Sequence, residues 1–411
     1  MCIRDSGYIG SLIFYKTKIP DVIWLLLFGL IVGPLLSLVN TSMYISISPL
    51  LAAAAIAIIL FDAGLNMDFY QTIKNFSRSM IFSVLGVTFS MVSVGLLAWT
   101  VFGFDLITGL LIGVILGGTS FPIVDAIVKS VKVRESVGSI LRIESIITDP
   151  LVIVIAIALM NVIVPPSGGS EFSAVQSLLS AFSVGAFVGI FAGFAWLYML
   201  RILKGKPFDY MLTLGIIFIL YVFVESNGGS GAIASLVFGL VLGNGNTFAK
   251  ILKIKKRLEF DVSMKNFQAE VTFLMRSFFF VLLGIVVVIK PEYIVYGLIT
   301  SLALIIIRLV VVFIGTKNMS LDRVEKNLMR ITIPKGLAAA VMAQYPLTYG
   351  IPGAEMISSI VFVVLLTTVI YATVSSKMIS IIESKNPKIE TKKSGGKNKD
   401  KEVVSFVKVK K

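Results

Sequence analysis

Between Gly138 and Val164 the chain reads GSILRIESIITDPLVIVIAIALMNVIV, an apolar run that carries Glu144, Ser145, Thr148, Asp149 and Pro150. At a helical rise of about 1.5 Å per residue, Asp149 lies roughly 16 Å from Gly138. In a segment long enough to cross a bilayer, that is close to mid-depth of a hydrocarbon core about 30 Å thick. An aspartate there costs on the order of 2.5–3.5 kcal/mol to insert, so it faces a cavity or a partner. Glu144 with Thr148 and Ser145 with Asp149 are each one helical turn apart, which makes one polar stripe. Pro150 donates nothing to the carbonyl of Ile146 and is expected to break the helix there. A free carbonyl, a carboxylate and two hydroxyls are hard oxygen donors, suited to a proton or a small cation at Asp149. Histidine is absent and Cys2 is the single cysteine. Proton exchange therefore falls to carboxylates or lysines, and no cysteine–histidine zinc site and no cofactor site are expected.

The elements that must position this stripe are membrane helices. The chain has 411 residues, 56% of them hydrophobic, with a mean hydropathy of +0.94. Repeated apolar runs of about 20 residues predict an all-α polytopic membrane protein embedded in the lipid bilayer. The spans fall near residues 7–15, 20–38, 49–66, 79–101, 105–128, 138–164, 172–200, 208–225, 231–247, 273–289, 292–315, 328–345 and 354–382. That is about thirteen, the first of them truncated. Residues 1–6, MCIRDS, look like a non-native leader; residues 7–383 form the transmembrane domain; residues 384–411 form a basic, disordered tail.

Lys and Arg number 37 against 23 Asp and Glu, but eleven of the basic residues follow Ser376 and most others sit in alternate loops. Lys16, Lys18, Lys74, Arg78, Lys129, Lys132, Arg134, Arg201, Lys204, Lys206, Lys317, Arg323 and Lys326 all lie in loops after odd-numbered spans, whereas the even loops hold only Lys290. This pattern places the odd loops and the carboxyl terminus in the cytoplasm and the amino terminus outside. It reports topology, not nucleic-acid binding. Ala249 to Gln268 mixes apolar and basic residues and is expected to lie on the cytoplasmic surface as an interfacial helix.

Two spans are interrupted at mid-depth. The fifth reads GVILGGTSFPIVDAIVKS, with Gly117, Gly118, Thr119, Ser120 and Pro122; the twelfth reads ITIPKGLAAAVMAQYP, with Pro334, Lys335 and Gly336. They are seven spans apart and run in opposite directions, the pattern of inverted repeats whose broken helices cross at a binding site. Thr119 and Ser120 either contribute ligands at the crossing or satisfy unwound backbone. Asp125, one turn past Pro122, could face the crossing. Asp62, in LFDAGLNMDF, either lines a cavity or snorkels from a helix end. Glu144 is expected to hold a buried ion pair with Lys335 or Arg308, and Arg142 and Arg276 to snorkel.

Five of these stretches resemble the monovalent cation/proton antiporters of the sodium/proton exchanger type: ESIITDP (against E-S-x-x-N-D), LFDAGLNMD, SGAIASLVFGLVLGN, FFFVLLGI and PKGLAAAV. Their order, and the broken fifth and twelfth spans, fit that family over nearly all of residues 7–382. The resemblance implies a homodimer with a rigid dimerisation part and a mobile core that carries Na+ or K+ in exchange for H+. It implies that Asp149 binds the ion with Ser145 beside it, that Glu144 is salt-bridged to Lys335 or Arg308, and that Asp62 lies near the site. Thr148 stands where the family's asparagine precedes the aspartate, and Phe121 stands where many members carry an aspartate at the break. One carboxylate is thereby lost, and sodium and potassium both stay open as substrates. A single exchangeable carboxylate predicts electroneutral exchange. A gated channel on the same scaffold, or a non-transporting sensor, are the readings of a different class.

Overall fold

A computed structural model describes residues 20–36, 41–131, 133–164, 174–203, 209–251, 262–317 and 319–385. The expected leader and first span, the middle half of the proposed interfacial helix and nearly all of the basic tail lie outside the described residues. Among the described residues the chain is all-helical, with no strand. In order the helices are α1 (Asp21–Leu30, running on through a π turn at Ile31–Leu35), α2 (Thr41–Leu65), α3 (Phe69–Val101), α4 (Leu106–Ile115), α5 (Phe121–Ser130), α6 (Glu135–Ile163), α7 (Ala174–Leu203) and α8 (Asp209–Ser226). There follow α9 (Gly231–Gly243), α10 (Gly245–Ile251), α11 (Val262–Val286), α12 (Pro291–Gly315), α13 (Arg323–Ile331), α14 (Leu337–Met342), α15 (Tyr345–Thr348) and α16 (Ala354–Lys385). Six stretches, within α3, α6, α7, α11, α12 and α16, are each long and apolar enough to cross a membrane alone. The others are shorter or interrupted, which is tolerable at membrane depth only where protein covers the freed backbone.

Most helix packing falls within two groups. One joins α1, α2, α8, α9 and α11, with α7 along the side of α9; the other joins α3 to α6 with α12, α13, α14 and α16. Expected spans seven apart therefore fall in the same group, as inverted repeats require. The first group is built on close backbone approach. A Cβ on Gly239 would stand 2.2 Å from the carbonyl oxygen of Phe61, and one on Gly284 2.5 Å from that of Leu26. Small residues let membrane helices reach such contact, where dispersion replaces the hydrophobic drive that lipid removes. Beyond α9, Asn244 clamps the turn after α2: its amide donates to the carbonyl of Met67 at 2.8 Å and accepts from the Phe69 N–H at 3.0 Å. The SGAIASLVFGLVLGN and LFDAGLNMD stretches are thus one packing unit.

In the second group α3 and α6 share a polar seam. Asn75 donates to Ser139 at 3.1 Å, and the Ser79 hydroxyl donates to the carbonyl of Ile140 at 3.2 Å. This seam fixes the rotation of α6, and with it the direction of the stripe that carries Asp149.

Candidate functional site

The site forms where the two interrupted spans cross. Between α4 and α5 the backbone leaves the helix from Leu116 to Ser120, and between α13 and α14 it is non-helical from Thr332 to Gly336. The two interrupted stretches bond each other, the Ser120 N–H donating to the carbonyl of Pro334 at 2.8 Å. A Cβ on Gly336 would lie 2.9 Å from the Cα of Ser120, so only glycine allows the crossing to close this far. Pro122 opens α5, where its missing N–H costs nothing.

α6 passes against this crossing. The Thr119 N–H donates to the Thr148 hydroxyl at 3.2 Å, and the Thr119 hydroxyl donates to that of Ser145 at 3.1 Å. Thr119, Ser145 and Thr148 are all buried. Asp149 is half-buried, and a Cβ on Gly118 would come within 3.6 Å of its Oδ1. Among the described residues no side chain hydrogen-bonds or ion-pairs with this carboxylate. The neighbouring cations are engaged elsewhere. Arg308, on α12, binds Glu144 through two nitrogens, Nη1 to Oε1 and Nη2 to Oε2, the latter at 3.1 Å, and its Nε donates to the carbonyl of Met329 at 2.8 Å. Lys335 Nζ donates to the carbonyl of Gly118 at 3.0 Å, just past the carbonyl end of α4, where the helix dipole favours a cation. Ser90, Thr119, Glu144, Thr148, Arg308 and Lys335 help to enclose a cavity of about 20 Å³, room for one water.

Three expectations need correction, and one open choice is decided. Pro150 does not break its helix: α6 runs unbroken from Glu135 to Ile163, because a proline removes one hydrogen bond and the packed neighbours hold the rest. Of the two cations expected for Glu144, Arg308 is the one that pairs with it, and the Lys335 ammonium is drawn instead to the break in the fifth span. Asp125 does not turn into the crossing. It accepts from Arg142 Nε at 2.8 Å and Lys129 Nζ at 2.6 Å, at the basic end of α5. Arg142 and Arg276 do not simply snorkel; Arg142 also reaches Glu135 at 2.9 Å, and Arg276 binds Asp21 at 2.6 Å. Asp62 sits half-buried in the last turn of α2, its Oδ1 accepting from Asn66 at 3.1 Å. The neighbouring Ala63 and Met67 pack with Ile146, and Phe121 lies against them.

Some contributors went unnoticed in the sequence. Thr368, on α16, accepts from the Lys335 N–H at 3.3 Å and holds the second break from behind. Its threonine-in-apolar-helix context gives no distinguishing signal. Asp21 could have been noticed as a carboxylate at the start of an apolar run.

An unpartnered carboxylate beside two crossed, interrupted helices is the arrangement on which the comparisons with known proteins bear. The family described as "Sodium/hydrogen exchanger, transmembrane" matches residues 6–379. The chain belongs to the sodium/hydrogen exchanger family. It is 28% identical to the Na(+)/H(+) antiporter ApNhaP of Aphanothece halophytica over 264 residues, 63% of this chain and 49% of that protein. It is 24% identical to the K(+)/H(+) antiporter NhaP2 of Shewanella baltica over 331 residues, 78% of this chain and 55% of that one. The chain thus spans about half the length of the curated relatives it matches. The solved structure of the sodium proton antiporter MjNhaP1 from Methanocaldococcus jannaschii superposes with a TM-score of 0.78 at 22% identity, covering 92% of this chain and 97% of that one. At that identity the likeness speaks for the fold. Exchanger-family membership and the crossed-helix fold therefore rest on independent observations.

Proposed function

We propose that this exchanger-family chain is a secondary antiporter that moves Na+ in exchange for H+ across the cell membrane. Asp149 alternately holds the cation and the proton. The observation that carries this reading is the Asp149 carboxylate itself: it stands at the crossing with no partner among the described residues, while Arg308 and Lys335 are committed to Glu144 and to Gly118. Ser145, Thr148, Thr119 and Ser120 supply nearby hydroxyls for a partly dehydrated cation. Glu144 and Arg308 serve as the structural pair. Competition of two solutes for one carboxylate couples their fluxes without a second site. With Asp125 bound to Arg142 and Lys129, one exchangeable carboxylate remains at the crossing, which supports electroneutral one-for-one exchange. The basic ends of the helices face the cytoplasm, and the chain works as a homodimer.

The alternative substrate is K+, supported by the relatives named K(+)/H(+) antiporters and by Phe121 at the break. Both readings are tested together in proteoliposomes with Na+, K+ and Li+ gradients, following internal pH with the voltage clamped by a range of ionophore conditions. Asp149→Asn keeps the volume but exchanges no proton, and is expected to abolish cation-driven pH change in protein that still folds. Exchange within twofold of wild type would overturn the assignment, and a reversal point that moved with voltage would overturn electroneutrality.

A further inference from the structure

A funnel of about 1020 Å³ opens at the basic end between α1, α5, α11 and α16 and reaches Pro122, two residues from the crossing. Its charged lining is unexpected for a cation route: Lys129, Arg276 and Lys377 against one carboxylate, Asp21. Lys129 is well exposed and bound to Asp125. Arg276 is the most buried of the three, with its side chain 20% exposed. Its Nη2 donates to Asp21 Oδ2 at 2.6 Å, its guanidinium lies 5.5 Å from the Phe273 ring centroid, and its Nε is buried without an acceptor. Asp62, on the facing helix α2, lies within electrostatic range of the same guanidinium. Arg276 therefore feels the charge of two carboxylates and, among the described residues, bonds Asp21.

We infer that Arg276 is a tethered counter-charge on the cytoplasmic route, held by Asp21, which competes with the incoming cation and sets its apparent affinity on that side. A cation entering the funnel meets the field of Arg276 before it meets Asp149. Asp21 neutralises that field and keeps the guanidinium off the path. Without Asp21 the freed guanidinium has Asp62 as its next anion. Without Arg276, Asp21 becomes an uncompensated carboxylate that concentrates cations at the mouth. At separations of several ångströms in a partly wet funnel, one unit charge changes local cation occupancy on the order of three- to tenfold.

The inference rests on the antiport reading, and its test separates the two. Everted membrane vesicles expose the cytoplasmic face; exchange is followed by a pH-sensitive dye while NaCl is varied at constant ionic strength. Arg276→Gln is expected to lower the half-saturating Na+ concentration about three- to tenfold, and Asp21→Asn to raise it by a similar factor. The double variant should return close to wild type, and Arg276→Lys should restore the wild-type value relative to Arg276→Gln. A merely structural pair would instead lower the maximal rate and the melting temperature in both singles, with no opposed shifts in half-saturation. Shifts of the same sign, shifts under twofold, or an Arg276→Lys that behaves like Arg276→Gln would overturn the inference while wild-type exchange leaves the antiport reading standing. A wild type without any Asp149-dependent exchange would overturn both.

Discussion

Removing Glu144 should damage the fold more than it damages ion chemistry. Glu144 and Arg308 are 2% and 5% exposed, and the guanidinium grips both carboxylate oxygens while its Nε holds Met329 at the end of α13. Glu144→Gln leaves a buried guanidinium without its counter-ion, a loss of about 3–5 kcal/mol. An unfolding entropy of about 2.1 cal/mol/K per residue over about 375 residues gives roughly 0.8 kcal/mol/K, so the melting temperature should fall by about 4–6 °C. Membrane helices retain structure on unfolding, which lowers that entropy and makes the figure a floor. The measurement is thermal unfolding in detergent of Glu144→Gln, Arg308→Gln, the double variant Glu144→Gln/Arg308→Gln and Glu144→Gln/Lys335→Gln. The Arg308 double should recover at least half of the loss, because it strands no charge, whereas the Lys335 double should recover none. Recovery with Lys335 and not with Arg308 would refute the pairing. So would a Glu144→Gln protein that melts within 1 °C of wild type, a bound of roughly 0.8 kcal/mol on the same entropy.

A second ion pair gives a pH signature. The Arg134 guanidinium, donating to Glu325 at 2.5 Å, holds that carboxyl below the usual glutamate range, outweighing the upward push of burial. A depressed carboxylate contributes stability above its ordinary value that is lost as pH falls through its folded value. Arg134→Gln should therefore lower the melting temperature at neutral pH, with the gap to wild type closing below about pH 4; a gap that stays constant with pH would count against the pair. At the crossing, Gly336→Ala should cost about 1–3 kcal/mol and most of the exchange rate, since its methyl meets the Ser120 backbone. Gly215→Ala, which meets nothing within 4 Å, serves as the control, and a Gly336→Ala protein exchanging at the control's rate would show that the crossing tolerates the shift.

Periodicity and Gly–Pro interruption carried the fold a long way. Length and hydropathy locate spans because lipid leaves a chain few alternatives to helix, and the two interruptions are conspicuous because glycine and proline are expensive inside one. Pro150 shows the limit of that signal. Its chemistry is that of Pro122, yet one proline starts a helix and the other lies inside one, and only packing against α3 and α4 decides. Side-chain partners were the least legible. Asp125 is three residues from Pro122 in sequence, but its direction is set by Arg142 on another helix. Glu144 had two candidate cations, and the choice depended on how α12 lies against α6. Asn244 gave no signal of its own, because a polar residue at the end of an apolar run reads as an ordinary loop.

Where these partners lie bears on how the site would couple two ions under the proposed exchange. Each cation near the crossing has been given a partner that is not Asp149: Arg308 has Glu144 and Met329, Lys335 has Gly118, Arg142 has Asp125, and Arg276 has Asp21. A carboxylate paired to any of them would bind a transported cation only by breaking an existing ion pair, adding several kcal/mol to each cycle. Without a partner among the described residues, Asp149 would have two low-cost states in the proposed cycle, protonated or cation-bound, and one costly state, bare and charged. The costly state is the one in which the carrier would cross empty and leak the gradient. Under the proposed antiport, that penalty on the bare carboxylate would make exchange obligatory, and only because the surrounding positive charges are occupied elsewhere.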